Sequence, residues 1–314
     1  MNINFIRWNQ MKTITIGIPK AYLYYRYHIL WENFFSNLGC KVLISSSTTK
    51  ETIEQGKRLS IDESCLSSKI YLGHVASLQK KCDYILVPRV YNYGKNEQVC
   101  VKFNATYDII KNLFPDTKIL DYNVELTKQP FKIITYFNLG LKITKNPFRI
   151  ITSYLKAKKC DAKYWKEQLQ LQTQNLNTSK PKILLVSHPY NVYDNYIGIP
   201  IIKKLEQMGI EIIYANLLNH KIAKMYAKNL SPTLYWTYSK ELIGAIGYYI
   251  YSVDGIIFLT AFPCGPDSLV NELMLRKISN LPVTNILVDE QTSTTGLETR
   301  IESFIDIINE RRKK

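Results

Sequence analysis

Short apolar runs alternate with longer amphipathic stretches along the chain, and in two places the alternation follows the same plan. In the first, the spacing predicts a strand over Thr13–Ile18, a helix around Ala21–Leu38 stopped by Gly39, and a strand over Lys41–Ser45. In the second it predicts a strand over Lys182–Ser187, a helix around Gly198–Met208 stopped by Gly209, and a strand over Glu211–Ala215. Each plan runs on into another buried strand, Tyr84–Pro88 in one and Gly255–Thr260 in the other, and the second adds Val283–Val288. Near-continuous apolar strands separated by helices are the mark of parallel sheets covered on both faces. The fold class is therefore α/β: two Rossmann/flavodoxin-like domains with mostly parallel sheets, joined by a helical connector and related by an approximate internal duplication. The domains are expected over residues 11–125 and 181–314, with the connector over 126–180 showing helical spacing in Phe148–Leu155 and Tyr164–Leu171. Residues 1–10 precede the pattern and are expected to be loosely held, with Met11 a candidate start.

In such sheets ligands bind beyond the carboxyl ends of the strands, so functional residues are expected after Ile18, Val87, Ser187 and Thr260. The 314 residues, 46% apolar, suffice for a large core. An excess of 41 Lys and Arg over 26 Asp and Glu gives a formal charge of +15, concentrated between Lys118 and Lys182 and in Arg311–Lys314. No nucleic-acid-binding module accompanies it, so it reads as solvated surface and no nucleic-acid partner is expected. The most apolar stretch, Leu242–Pro263, is interrupted by Ser252 and Asp254, and no membrane partner is expected. Six cysteines are too few for a disulfide scaffold and no signal peptide is evident, which points to a reducing cytoplasm.

Cys40, Cys82 and Cys160 have no chemical setting beyond that of small hydrophobes. The other three share one. Cys65 follows Ser60 and Glu63, which read as a capping box; Cys100 precedes a helical pattern; Cys264 precedes Gly265, Pro266 and Asp267, a helix start. Helix starts lower a thiol's pKa, and three that converge would stabilise thiolates on an iron–sulfur cluster with one iron left open to substrate. A zinc site of the three cysteines with His74 is the competing reading.

The stretches "TIGIPKAYLYYRYHILWENFFSNLGCKVLIS", "LSIDESCLSSKIYLGHV", "DYILVPRV", "QVCVKF", "LVSHPYNVYDNYIG", "AFPCGPDSLVNELM" and "ILVDEQTSTTGLETRIESFID" together resemble the acyl-CoA dehydratase activase-related family, part of the 2-hydroxyacyl-CoA dehydratase and benzoyl-CoA reductase group. The resemblance implies a [4Fe-4S] or related cluster held by Cys65, Cys100 and Cys264. It also implies electrons from a separate ATP-hydrolysing activator, and dehydration or reduction of an acyl-CoA or another small molecule. In the dehydratases that electron makes a ketyl of the thioester carbonyl, which expels the hydroxyl. The chain departs from relatives at Ser67 and Val101, where proline often stands, and shows no glycine-rich phosphate loop, so the activator is expected as another chain. A lyase or reductase component, an electron-transfer or cluster-carrier accessory and a zinc-stabilised binding protein all remain open, as do homodimer and heterodimer. No catalytic residue is assigned. His188, Asn191 and Asp194 after a strand, Glu290 in a loop, and Arg89 with its bidentate guanidinium are the substrate-binding candidates. Lys20 is a further anion contact or a solvated lysine.

Overall fold

The computed structural model describes residues 13–291 and 294–313; the expectations for residues 1–10 and for Met11 lie outside them. The chain opens with β1 (Thr15–Ile18), α1 (Tyr24–Asn37), β2 (Lys41–Ile44), α2 (Lys50–Arg58), α3 (Leu66–Leu78), β3 (Tyr84–Gly94), a short β4 (Glu97–Gln98), α4 (Val101–Leu113) and β5 (Ile119–Glu125). Two helices follow, α5 (Lys132–Leu141) and α6 (Pro147–Leu176). The remainder is β6 (Lys182–Val186), α7 (Pro189–Val192), α8 (Ile199–Gln207), β7 (Glu211–Tyr214), α9 (His220–Leu230), α10 (Thr237–Tyr249), β8 (Gly255–Ala261), α11 (Gly265–Leu275), β9 (Val283–Val288) and α12 (Thr294–Lys313).

The first sheet pairs β2, β1, β3 and β5 in parallel, with β4 antiparallel to the far end of β3. The second has the parallel order β7-β6-β8-β9. The two orders coincide when β5 is matched to β9, so the duplicated plan extends one strand further than the expected pattern. The expected strand Tyr84–Pro88 is only the start of β3. Pro88 is tolerated inside it because β1 pairs with β3 only at Tyr84 and Ile85, which leaves no neighbour on that side to want its missing N–H.

One apolar core joins the first sheet to one face of the second through Ile183, Leu185, Ile257 and Leu259, and a smaller core covers the opposite face of the second sheet. The connector comprises α5 and one unbroken 30-residue α6, capped by the Asn146 side chain on Arg149 N; α6 packs on both α1 and α5 and buries Ile150, Ser153, Tyr154 and Ala157. Helix α3 is apolar or buried on every side, from Leu66 to Val75. It lies so close to α2 that a Cβ at Gly73 would stand 1.9 Å from the Thr52 carbonyl oxygen. The expected Ser60–Glu63 capping box does not form: the chain turns at Ile61–Ser64, and α3 begins only after Cys65. The capping box that does form is Thr49–Thr52, at the start of α2. Among the described residues no helix is long and apolar enough to cross a membrane.

Candidate functional site

Cys65, Cys100 and Cys264 are the residues immediately before α3, α4 and α11, each with extended backbone and no side-chain capping bond, so each sulfur is free to face outward from a helix start. All three are unpaired and half-buried. The elements that carry them meet: Leu66 N, beside Cys65, donates to Phe262 O at 2.9 Å, two residues before Cys264. Cys65 and Cys100 are near enough for the charge of one thiolate to disfavour the other, and Cys65 acts on Cys264 in the same way. Tyr190 lies within electrostatic reach of all three sulfurs, and Tyr22 of Cys65 and Cys100.

Backbone N–H groups favour each thiolate, from Ser68 for Cys65, from Phe103 and Lys102 for Cys100, and from Asp267 for Cys264. Burial outweighs them. It pushes the Cys65 thiol up to about 11 and raises Cys100 and Cys264 as well. The expected lowering of these thiols by helix starts is thus reversed in the protein alone, because desolvation of a half-enclosed anion exceeds what a few N–H dipoles return.

Tyr22 marks the place further. It holds φ at 50°, which a bulky residue adopts only under constraint, and its ring stacks on Tyr71 at 4.8 Å and packs against Phe103 and Tyr190. Its buried hydroxyl has the Ser68 side chain as its polar neighbour, without the geometry of a full hydrogen bond. Space beside Gly265 is open. A cleft of about 380 Å³ is lined by Ser64, Ser68, Leu72, Lys102 and Ile109, on the elements that carry Cys65 and Cys100 but without either cysteine in its wall, and Lys102 Nζ donates to Ser64 Oγ at 3.1 Å. Larger clefts of about 550 and 490 Å³ lie elsewhere, around Lys224 and around Cys82.

Among the described residues no three His, Cys, Asp or Glu are gathered closely enough for a single metal ion. Sulfurs on one tetrahedral zinc, bonded at about 2.3 Å, lie about 3.8 Å apart; a four-iron cluster spreads its cysteines to about 7 Å. His74 is committed elsewhere, with Nδ1 2.8 Å from Ser45 Oγ and Nε2 2.9 Å from Thr48 Oγ1, so it is not offered to the cysteines as a fourth ligand.

The substrate-binding candidates divide. His188 Nε2 is 2.8 Å from Asp267 Oδ1 on α11, and the ring stacks on Tyr190 at 5.0 Å, which places it in the cysteine neighbourhood. Asn191 accepts from Ser67 Oγ at 2.7 Å, Asp194 accepts from Thr48 Oγ1 at 2.5 Å, and Glu290 pairs with the buried Lys69, so these three join the second sheet's loops to α3 and its surroundings. Arg89 belongs to neither group. Because β3 continues past it, Arg89 is mid-strand and pairs with Asp108 on α4, beside the Tyr91 and Tyr107 rings. Lys20 Nζ donates to Ser47 Oγ at 3.2 Å. Tyr22, Ser68, Lys102, Tyr190 and Asp267 escaped sequence reasoning as a group. The available signal was the first-turn spacing of Ser68 from Cys65, of Lys102 from Cys100 and of Asp267 from Cys264.

The family model described as CoA enzyme activase uncharacterised domain matches residues 15–218, well over half of the chain. No curated protein matches the sequence. Among solved structures, the chain is similar to the SBP FpvC of Pseudomonas aeruginosa in complex with Ni2+, at 13% identity over 95% of this chain and 96% of that one, with a TM-score of 0.29. The same SBP FpvC in complex with Mn2+ gives 11% identity over 95% and 98%, with a TM-score of 0.31. Likeness of that degree carries no argument about ligand.

Proposed function

This chain belongs to the family described as CoA enzyme activase uncharacterised domain, and on that premise we propose that it is an iron–sulfur protein of the 2-hydroxyacyl-CoA dehydratase kind. In this reading Cys65, Cys100 and Cys264 hold a cluster, and a separate ATP-dependent activator chain supplies electrons for dehydration or reduction of an acyl-CoA or similar small molecule. The observation that carries it is three free thiols, each at the start of a different helix and drawn from both sheets, within electrostatic reach of the buried Tyr190. The donor set fits. Three cysteines with backbone N–H groups beside each sulfur suit a multi-iron group, and Tyr22 would supply a hydrogen bond to it. When bound, such a cluster supplies low-potential one-electron chemistry.

The chain's own residues then have distinct tasks. The cleft over Ser64, Ser68 and Lys102 admits the substrate, and its volume lies in the range of ordinary ligand sites. Lys102 places a cation where a carbonyl oxygen or a carboxylate would lie. Tyr22, Tyr71, Phe103 and Tyr190 exclude water from the inner side. His188, oriented by Asp267, is the group placed to hold or deliver a proton.

The test is anaerobic reconstitution with iron and sulfide, read by absorbance and metal analysis, on the wild type beside Cys65→Ala, Cys100→Ala and Cys264→Ala. Iron and sulfide uptake lost in each variant is the expected result. A colourless wild type, or uptake unchanged by the three substitutions, overturns the reading. A cluster reducible by an activator with ATP but inert toward acyl-CoA would shift the assignment to electron transfer.

A further inference from the structure

The helices α5 and α6 carry a surface that the cysteine site does not use. Between Phe131 and Glu167 the sequence has nine basic residues and two acids, Asp161 and Glu167; Lys142 is paired with Asp121 and Lys163 lies near Glu167, and the other basic residues remain in excess. All but Arg149 are lysines. The inner stripe of α5 is Thr135, Tyr136, Leu139 and Gly140; that of α6 is Ile150, Ser153, Tyr154 and Ala157. The two helices meet there, where a Cβ at Gly140 would stand 2.5 Å from Ile150. Their opposite faces are apolar where solvent should favour polar residues. Phe131, Ile134 and Leu141 stand out on α5 and its start, and Phe148, Ile151 and Leu155 on α6, with Phe131 66% and Phe148 75% exposed. Those positions recur at three- and four-residue multiples, so each set forms one outward stripe.

We propose that this α5–α6 face is a peripheral docking surface for an anionic lipid bilayer, on which the two apolar stripes insert shallowly while the surrounding lysines engage acidic headgroups. Charge complementarity selects the occupant. A second copy of the chain would set one lysine-rich surface against another, which like-charge repulsion disfavours. Stable protein interfaces are depleted in lysine, whereas each lysine near an anionic membrane adds attraction, and protruding Phe, Ile and Leu beside lysines are the composition of helices that lie in the membrane plane. The contact is with the surface only, and it departs from the expectation of no membrane partner. It is independent of the cluster reading.

The full chain is floated with vesicles of phosphatidylcholine alone or mixed with phosphatidylserine, at low and high salt. Two variants at exposed positions are compared with it, one combining Phe148→Ser with Leu155→Ser, the other combining Lys145→Glu, Lys156→Glu and Lys159→Glu. Retention by phosphatidylserine vesicles, its loss at high salt, and weakening by more than about tenfold in each variant are expected. Four results overturn the proposal. They are no retention on acidic vesicles, equal retention on neutral ones, an apolar variant that binds normally while soluble polyglutamate competes (an acidic polypeptide partner), or a dimer that both variants dissolve.

Discussion

Acidification from neutral pH to about pH 4 should remove about 3 kcal/mol of stability through His74 alone. This residue is 1% exposed, and counting protons around it leaves a single arrangement. Thr48 has one hydroxyl proton and gives it to Asp194, so Thr48 Oγ1 must accept from His74 Nε2–H. Nδ1 is then bare and accepts from Ser45, whose oxygen in turn accepts from Lys20 N at 2.8 Å. A second ring proton would force the Ser45 hydroxyl to turn its own proton away from Nδ1 and would bury a cation. Burial first, and the Lys20 charge second, therefore lower the His74 pKa to about 4. Against an ordinary value of about 6.5 the difference is about 2.5 units, at about 1.4 kcal/mol each. The sign follows from proton uptake: between those two values the unfolded chain binds the proton and the folded chain does not. The stabilisation is therefore present above about pH 6.5 and lost as pH falls toward 4. Denaturant unfolding at a series of pH values, for wild type and His74→Gln, measures the difference, and the ring-proton resonance of His74 reports its midpoint directly. A His74 resonance that titrates at or above about 6, or a variant with the same slope of stability against pH as wild type, refutes the reasoning.

Gly73→Ala should cost about 3 kcal/mol or more, because the new methyl meets the Thr52 carbonyl at 1.9 Å and α2 cannot retreat without opening the core; an unchanged melting temperature would contradict that packing. Glu241 is largely enclosed, which alone would raise its pKa, but the two-bond pair with Arg26 at 2.7 and 2.9 Å and the His220 contact hold it at about 2. Its stabilisation is thus present above about pH 4.5 and lost toward pH 2, so Glu241→Gln should destabilise by about 3 kcal/mol at pH 7 and flatten the acid limb of the stability curve. Arg89→Met should lower stability by about 1 kcal/mol through the lost Asp108 pair and aromatic contacts while leaving iron uptake intact; a variant that folds yet takes up no iron would move Arg89 into the site.

Strand positions were readable where short apolar runs recurred, as in Ile183–Val186 of β6, and Val283–Val288 is the observed β9 without adjustment although it carries Thr284 and Asn285. Ile119–Glu125 was not read as β5, although Asp121 and Asn123 alternate with its buried Leu120, Tyr122 and Val124 in the spacing of a half-buried strand. Arg89 was misplaced because of the proline before it. A proline read as a strand end is compatible with a strand whose neighbour on one side has already stopped. The three helix-start cysteines were visible from local signals, although the box expected before Cys65 belongs to a turn. What local signals could not convey was pairing across the sheets. Thr48 with Asp194, Ser67 with Asn191 and Lys69 with Glu290 are separated by 146, 124 and 221 residues, and no periodicity encodes such partners.

Those three pairs, with the Leu66–Phe262 bond, all reach the second half from α3 or from the loop before α2, and α3 has no side left for water. Splitting the chain would leave Lys69 without its counter-ion and the Ser67 and Thr48 hydroxyls without their acceptors on a newly wetted surface. Two halves that share a strand order have thus become mutually dependent, and a drifting substitution along Leu66–Val75 must satisfy both at once.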